Sequence, residues 1–252
     1  MNYGLWMSAA GLATEVHRQD IIANNVANSE TAGFKGDTAF TFERPAPAQD
    51  PSGATPSAEL LTRLGGGVLA NDTRTDFQQG SFVDGGSLDL ALDGEGFFVV
   101  RDGDTTAYTR DGRFDRDRDG LLVDVDGRPV LSERNRPIQL GEGSITVSSD
   151  GSVSVTDVDG QPDVVGRLKL AAPAPESLRK VGDNLFHSSQ GAKVGDATDA
   201  MVHQGRYESS NVDPIQSMSE LIQSSRSVQA AARFIDFHDR MMELAVTRIA
   251  VG

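Results

Sequence analysis

Two helical stripes, one at each end of the chain, constrain the fold more than any other feature. Near the start, apolar or small residues recur in alternating steps of four and three, with Gln19 at the one polar place. They are Leu5, Ala9, Leu12, Val16, Ala23 and Val26. This heptad spacing predicts one amphipathic helix over about residues 3–28. Gly33 and a cluster of asparagines follow, and both residue types tolerate the left-handed backbone common at helix C-termini.

The C-terminal stripe continues for more than four heptads. Its members are Met218, Leu221, Ser225, Val228, Ala232, Ile235, Asp239, Met242, Val246 and Ile249. Asn211 or Asp213 can cap the first turn, and Pro214 suits the first helical position, so we expect a helix over about residues 213–250. Amphipathic helices gain most of their stability from packing, which favours pairing of the two as a coiled-coil layer. The alternative is that each helix covers the central sheet.

The middle of the chain predicts strands and turns. Leu88, Leu90 and Leu92 alternate with Asp89, Ala91 and Asp93, a period of two that places one face inward and one in water. Turn signals of Asp-Gly or Gly-Asp type follow about every ten residues, which is typical of an antiparallel all-β domain. In the hairpin at 144–155, a three-residue loop ending at Gly151 would pair Val147 with Val153 and Ile145 with Val155, burying one apolar face.

The predicted fold class is therefore α+β, with long N- and C-terminal helices pairing as a coiled-coil layer and a central antiparallel all-β domain inserted between them. A Pro-, Ala-, Ser- and Gly-rich stretch at 43–67 reads as an extended linker. The expected division is an N-terminal helix at 1–35, an extended linker at 36–80, the β domain at 81–190, a return linker at 191–211 and a C-terminal helix at 212–252.

Charge and composition exclude several classes of function. The net charge of −14 disfavours a nucleic-acid partner, because binding to phosphates needs a basic face. Residues 84–163 contain eighteen Asp and Glu against eight Arg, a net charge of −10. The excess negative charge is therefore concentrated in the middle of the chain. The absence of cysteine excludes disulfides and thiolate sites. The sequence shows neither a cleavable signal peptide nor an apolar run of the ~20 residues that would span a bilayer, so we expect no membrane insertion.

One short stretch, "DRDRDGLLVDVD", could bind calcium. Asp115, Asp117, Asp119, Gly120 and Asp126 fall at positions 1, 3, 5, 6 and 12 of an EF-hand loop, where carboxylates converge on the ion. The last position carries Asp instead of the longer Glu, and both flanks read as strand. The alternative is a β-hairpin with a turn solvated by carboxylates.

Catalytic motifs are otherwise missing from the sequence. The four histidines are scattered without a second ligand at helical spacing, and no nucleophile elbow, zinc-protease motif or phosphate-binding loop occurs. A hydrolase using Asp93 and Glu95 would have only their acidity in its favour. We therefore expect no enzyme activity and no cofactor.

Several stretches together resemble the bacterial flagellar basal-body rod and hook family. They are "ANNVANSETAGFK" at 23–35, "LDLALDGEGFFVV" at 88–100, "YTRDGRF" at 108–114, "DGSVSV" at 150–155 and "YESSNVDPIQSMSELIQSSRSVQAAARFIDFHDRMM" at 207–242. The length is similar to that of rod-type members, and 165–186 looks more like the proximal-rod branch than the distal-rod branch. The "QSSRSVQAAARF" stretch departs from the more aromatic form of the distal branch, which stays the alternative.

The resemblance implies a non-enzymatic subunit that polymerises into the rod of the flagellar basal body and passes torque across the periplasm. It also implies partners among other copies of the chain and other rod subunits, and export by the flagellar type III apparatus without a cleaved signal peptide. The terminal helices would form the inner layer of a tube, with the β domain outside.

Two groups of residues are the candidates for this assembly. For helix pairing and subunit contact they are Leu5, Leu12, Val16, Val26, Leu221, Val228, Ile235, Met242 and Ile249. For the turn between the inner helix and the outer layer they are Asn24, Asn25, Asn28, Gly33 and Phe34. Short amides at a helix end can satisfy the free carbonyls there and also donate to a neighbouring subunit; the alternative is that they only cap the helix.

Overall fold

The computed structural model describes residues 3–43, 68–70, 73–157, 161–189 and 194–250. Its helices are α1 (Tyr3–Ala27) and α2 (Pro214–Ala250), with a short 3-10 helix at Pro175–Ser177. The strands are β1 (Asp37–Thr38), β2 (Thr41–Glu43), β3 (Val68–Ala70), β4 (Arg74–Thr75), β5 (Phe82–Asp84), β6 (Leu90–Asp93), β7 (Phe97–Asp102), β8 (Thr105–Thr109), β9 (Asp115–Arg116), β10 (Leu122–Val123), β11 (Ser144–Val147), β12 (Ser152–Thr156), β13 (Pro162–Arg167), β14 (Leu170–Pro173), β15 (Leu178–Gly182), β16 (Leu185–Ser188), β17 (Val194–Asp196), β18 (Met201–Gln204) and β19 (Arg206–Glu208).

The described part of the chain forms two compact units. The helical unit comprises the described residues within 1–27, 36–76 and 213–252, and the β unit comprises those within 28–35 and 77–212. Both predicted terminal helices are confirmed, as is the antiparallel β domain between them. The segment expected to belong as a whole to the N-terminal helix, 1–35, is shared between the units, because 28–35 packs with the strands.

In the helical unit, α1 contacts α2 and the short strands β1 and β3. Asp213 caps α2: its carboxylate accepts hydrogen bonds from the backbone N–H groups of Ile215 at 2.8 Å and Gln216 at 3.1 Å. Pro214 opens the helix, where its missing N–H costs nothing. Of the two predicted caps, Asp213 is thus the one used. Within the described residues, neither helix has a stretch long and apolar enough to cross a bilayer.

The β unit is built on a six-stranded antiparallel sheet in the order β15-β16-β8-β7-β14-β17, with a three-stranded sheet β11-β12-β13 and smaller strand pairs. Both faces of β7 are buried: Phe98 and Val100 belong to one apolar cluster, and Phe97 and Val99 to another. Successive side chains of a strand point to opposite faces, so this strand has a core on each side.

One expectation for the strands is confirmed and one is wrong. The hairpin between β11 and β12 has the predicted register, with Val147 opposite Val153 and Ile145 opposite Val155. The alternation at 88–93 placed Ala91 in water, but Ala91 is fully buried between Leu90 and Leu92. The physical reason is that β18 pairs alongside β6 and the strand is covered on both faces, so the period-two pattern does not mark a solvated side here.

Candidate functional site

The signature turn, residues 28–35, is anchored to the β unit by its backbone. The Gly33 N–H donates to the Glu208 carbonyl oxygen at 2.7 Å, and the Asn184 side-chain amide donates to the Ala32 carbonyl oxygen at 2.6 Å. Phe34 is buried, and the Lys180 ammonium lies 4.3 Å from the centre of its ring. This arrangement is a cation–π contact, which is stronger where water is excluded. Three successive residues of the turn are therefore held by the strands.

Gly33 cannot be replaced without disturbing this docking. Its φ of +67° lies in the left-handed region that side chains rarely adopt. A Cβ at this position would also stand 2.3 Å from the backbone nitrogen of Asp111 and 2.4 Å from the carbonyl carbon of Arg110. The glycine thus serves both the turn and the close approach of two backbones.

A buried ion cluster of Lys35, Arg110 and Glu208 lies beside the turn. The Lys35 Nζ is 2.6 Å from Glu208 Oε1, and the Arg110 Nη1 is 3.1 Å from Glu208 Oε2. The side chains of Lys35 and Glu208 are fully buried, and that of Arg110 is 5% exposed. Removing charges from water is costly, so such a group is retained only where each charge finds compensating partners.

Backbone groups supply much of that compensation. Lys35 Nζ donates to the Gln78 carbonyl oxygen at 2.7 Å, and the Gly80 N–H donates to Glu208 Oε1 at 2.7 Å. The Arg110 guanidinium donates to the carbonyl oxygens of Leu92 at 3.0 Å and Gly94 at 2.6 Å. Burial lowers the pKa of Arg110, and the Glu208 carboxylate opposes this shift. The cluster therefore joins five segments of the chain.

Sequence reasoning missed this cluster. Lys35 ends "ANNVANSETAGFK", Arg110 lies in "YTRDGRF" and Glu208 in "YESSNVDP", so each member stands inside a stretch already singled out. A charged residue inside each of three such stretches was the available signal. Nothing in their spacing, however, indicates that the three meet.

The asparagines have distinct surroundings. Asn25 pairs with the backbone of Asp37: its Nδ2 donates to the Asp37 carbonyl oxygen at 2.7 Å, and its Oδ1 accepts from the Asp37 N–H at 2.9 Å. Asn28 Oδ1 accepts a hydrogen bond from the Thr31 hydroxyl at 3.3 Å, while Asn24 is exposed. Asn25 thus ties the end of α1 to β1 within the helical unit. A role of these amides in subunit contact stays a prediction.

Replacing Asn25 with leucine is expected to release β1. The change removes both hydrogen bonds to Asp37 and leaves its partly buried N–H and carbonyl groups unpaired, a cost of about 1–3 kcal/mol. Hydrogen exchange at the Asp37 amide measures the loss as faster exchange. Ala23→Leu, which adds apolar volume at an exposed position of the same helix, is the control; equal exchange in the two variants would contradict the pairing role.

The helix-pairing candidates on α2 occupy part of its covered face. That face is formed by Ser217, Leu221, Ser224, Val228, Ala231, Ile235, His238 and Met242, which follow one another at steps of four and three. Leu221, Val228, Ile235 and Met242 were predicted for this face. Between these four, the covered positions do not coincide with the predicted ones. For example, Met218 was predicted but is 53% exposed, whereas Ser217, one residue earlier, is partly covered. Small and hydroxyl-bearing residues fill those places, which hydropathy does not reveal.

On α1 the candidates are divided. Leu12 and Val26 are partly buried, and Val16 is 39% exposed. The most buried residues of the helix are Thr14, Ile21 and Ile22, none of which was a candidate. The side chains of Leu5 on α1 and Ile249 on α2 lie outside those that the structure describes.

A second face of α2 carries large apolar side chains in solvent. They are Ile215, Met218, Ile222, Phe234, Phe237, Met241 and Leu244, each 51–78% exposed. At 3.6 residues per turn, Phe237 lies about 200° around the helix from Ile235 of the covered face, so the two faces are opposed. They form two groups on this face, at 215–222 and 234–244, and clusters of exposed large apolar side chains often mark an interaction site.

The calcium candidate forms a β-hairpin. Asp115 and Arg116 form β9, which pairs with β10 as an antiparallel hairpin, and Asp117 Oδ1 accepts the N–H groups of Asp119 and Leu121 in the turn. Asp126 Oδ2 is 2.7 Å from Arg128 Nη1. No three His, Asp or Glu side chains in the described ranges come together as a metal site. The stretch thus forms the hairpin that was the alternative, with Asp115 on a strand and Asp117, Asp119 and Asp126 outside the strands; calcium binding stays a prediction.

The hydrolase candidates are likewise on the surface. Asp93 is exposed and stands 3.6 Å from His203 Nε2, and Glu95 is exposed in the turn between β6 and β7. Neither carboxylate lies in an apolar pocket.

Comparison with known proteins accounts for the same stretches. Three family models match the chain: "Flagella basal body rod protein" at 7–35, "Flagellar hook protein FlgE/F/G D1 domain" at 91–155, and "Flagellar basal body rod FlgEFG protein C-terminal" at 203–248. The flagellar basal-body rod protein FlgF of Caulobacter vibrioides is 35% identical over 99% of this chain and 98% of its own length. The chain belongs to the flagellar basal-body rod protein family. It is a structural subunit of the basal-body rod, and not an enzyme.

Other relatives in this family carry a second name. The flagellar basal-body rod protein FlgG of Bacillus subtilis is 30% identical over 95% of this chain and 96% of its length. FlgG of Caulobacter vibrioides is 32% identical over 94% of this chain and 95% of its length. Each of the three matched family segments also contributes one member of the buried ion cluster: Lys35, Arg110 and Glu208.

Proposed function

We propose that this chain is a proximal-rod subunit that assembles, through α1 and α2, with other copies of itself and other rod subunits into a coiled-coil inner layer. The β unit faces outward in this arrangement, and the assembled rod transmits torque. The flagellar type III apparatus exports the chain without a cleaved signal peptide. The exposed apolar face of α2 is the observation that carries the proposal. Single exposed apolar side chains are normal on a protein surface, whereas seven large ones on one face of a helix indicate an interaction site.

The energetics favour burial of this face in an assembly. Fully burying one large apolar side chain stabilises the buried state by about 1.5–3 kcal/mol. The seven exposed large side chains of α2 supply several times that amount if neighbouring subunits cover them. Since the opposite face of α2 is already covered in the helical unit, a second layer of contacts is available to partners.

Replacing Phe237 with aspartate is the test of this contact. Phe237 is 61% exposed, so the isolated chain should keep its fold, whereas a charge buried in the subunit contact should abolish incorporation into basal bodies. The measurement is the amount of the variant in purified basal bodies, with circular dichroism of the purified chain as the fold check. Phe237→Leu keeps the apolar contact and is the matched control. Normal incorporation of the aspartate variant would contradict assembly through this face.

The proximal branch is favoured over the distal branch by two features. The chain is 35% identical to FlgF of Caulobacter vibrioides, the proximal form, against 32% to FlgG of the same organism. Residues 165–186 are also similar to the proximal form. The distal-rod alternative differs in the order of assembly. In a strain that lacks the distal-rod subunit, this chain should be retained in purified basal bodies if it is proximal. If this chain is itself the distal subunit, basal bodies from that strain contain no copy of it.

A further inference from the structure

A basic patch surrounds the turn at 132–136 of the β unit. It consists of Arg101, Arg134, Arg136, Arg167 and Lys169. Two of these cations converge on the neutral residue Asn135, which has a left-handed φ of 58°. Arg101 Nη2 donates to its carbonyl oxygen at 3.1 Å, and Lys169 Nζ donates to its Oδ1 at 2.5 Å. The patch is unexpected in a chain with a net charge of −14.

Few carboxylates neutralise this patch. Arg167 lies 3.2 Å from Glu133 and 4.0 Å from Asp150. Across the described ranges, neither Arg134 nor Arg136 has a carboxylate within ion-pair distance. Asp196 lines a groove together with Arg167 and Lys169, so five cations against three carboxylates leave a local charge of +2. A groove of about 410 Å³ runs through the patch, and the exposed Val164 lies in its wall.

An acidic patch of opposite charge surrounds Arg128. The distances from its guanidinium are 2.7 Å to Asp126, 2.7 Å to Asp183, 3.3 Å to Asp124 and 3.6 Å to Asp102. Four carboxylates against one cation leave a local charge of −3. The exposed Val125 stands between Asp124 and Asp126 in sequence, so this patch also combines charge with an apolar side chain.

The two patches diverge from the end of one strand. Arg101 and Asp102 are the last two residues of β7, and consecutive side chains of a strand point to opposite faces. Arg101 reaches Asn135 of the basic patch, whereas Asp102 reaches Arg128 of the acidic patch. Two complementary surfaces that face different ways produce a head-to-tail contact, which repeats from copy to copy.

We propose that the basic patch of one β unit docks on the acidic patch of a second copy of this chain. This proposal rests on the proposed function as a rod subunit and adds an outer contact to that of the helices. Charge complementarity favours a second copy, because the same chain carries both patches. Opposed charged surfaces of this kind set register and orientation more than they set affinity.

Disulfide trapping tests the contact without background, because the chain contains no cysteine. Arg136 and Asp183 are exposed members of the two patches, and a chain with Arg136→Cys and Asp183→Cys should give a ladder of cross-linked multimers when purified basal bodies are oxidised. Each single variant should give no ladder. Arg136→Cys with Glu95→Cys is the matched control, since Glu95 is an exposed carboxylate beyond the other end of β7.

Charge reversal provides a second measurement. In the chain that carries the cysteine pair, Arg134→Glu places like charges opposite each other and should lower the yield of the cross-linked ladder by about tenfold or more. Adding Asp126→Lys to this chain, with the cysteine pair retained, should restore the yield by reversing the second patch as well. Restoration also excludes a folding defect as the cause of the loss.

Three outcomes overturn the proposal. If the chain is present in basal bodies but the cysteine pair gives no ladder, the outer contact is wrong and the rod assignment stands. If the wild-type chain is absent from basal bodies, the rod assignment fails and this contact fails with it. If charge reversal leaves the ladder unchanged but removes binding to purified peptidoglycan, the patch binds an anionic glycan instead.

Discussion

Replacing Glu208 with alanine is expected to destabilise the β unit by about 3–5 kcal/mol, because it leaves two buried cations without their shared carboxylate. The backbone of Glu208, which accepts the Gly33 hydrogen bond, is unchanged by the substitution. A chain of two units does not unfold in one step, so hydrogen exchange at the core amides of β7 is the suitable measurement. Exchange there should accelerate by roughly 150- to 5,000-fold.

Asp84→Ala is the matched control for this prediction. It also removes a carboxylate from an arginine, but the Arg206–Asp84 pair at 2.9 Å is on the surface, with Asp84 86% exposed. An exposed pair contributes about 0–1 kcal/mol, so exchange in β7 should hardly change. Equal exchange in the Glu208 and Asp84 variants would show that the buried cluster does not stabilise the β unit.

Replacing Gly33 with alanine is expected to undock the signature turn. The left-handed backbone alone costs about 1–3 kcal/mol for a residue with a side chain. The added Cβ would also meet the backbone at Asp111 and Arg110, which cannot move aside as a side chain can. We expect loss of the Gly33–Glu208 hydrogen bond, measured as rapid exchange of the amide at position 33 together with faster exchange in β7.

Gly103→Ala separates the two causes. Gly103 has a similar φ of +58°, but a Cβ there would have no heavy atom within 4 Å. That variant should therefore lose only the stability that the left-handed backbone costs, with no steric clash added. If the two alanine variants lose the same stability, the close approach at Gly33 contributes nothing and the turn is not tightly docked.

The terminal helices were predictable because their signals are local. Pro214 and the Asp213 cap mark the start of α2 within three residues, and the hairpin loop ending at Gly151 fixes its own register. The phase of the covered face of α2 was predicted only in part. Ser224 and Ala231 are each followed by a residue of the same type, so residue type does not distinguish the covered position from its neighbour, and the apolar Met218 was favoured over Ser217.

The buried ion cluster could not be predicted in the same way. Lys35 and Glu208 are 173 residues apart, and Arg110 is 98 residues from Glu208. Their meeting depends on the order of strands in the β unit, which no local pattern specifies. In isolation, each residue reads as an ordinary surface charge, because Lys, Arg and Glu are rarely buried unless they are paired.

The long separation between Lys35 and Glu208 also sets the order in which the chain can mature. At about 5–20 residues per second, a ribosome adds the intervening 173 residues over roughly 10–35 s. Throughout that interval, the newly made signature turn has no carboxylate to receive its lysine, and α1 has no α2 to contact. A nascent chain therefore completes both units only late in translation. Until then, its first helix stays accessible to proteins that bind unfolded segments.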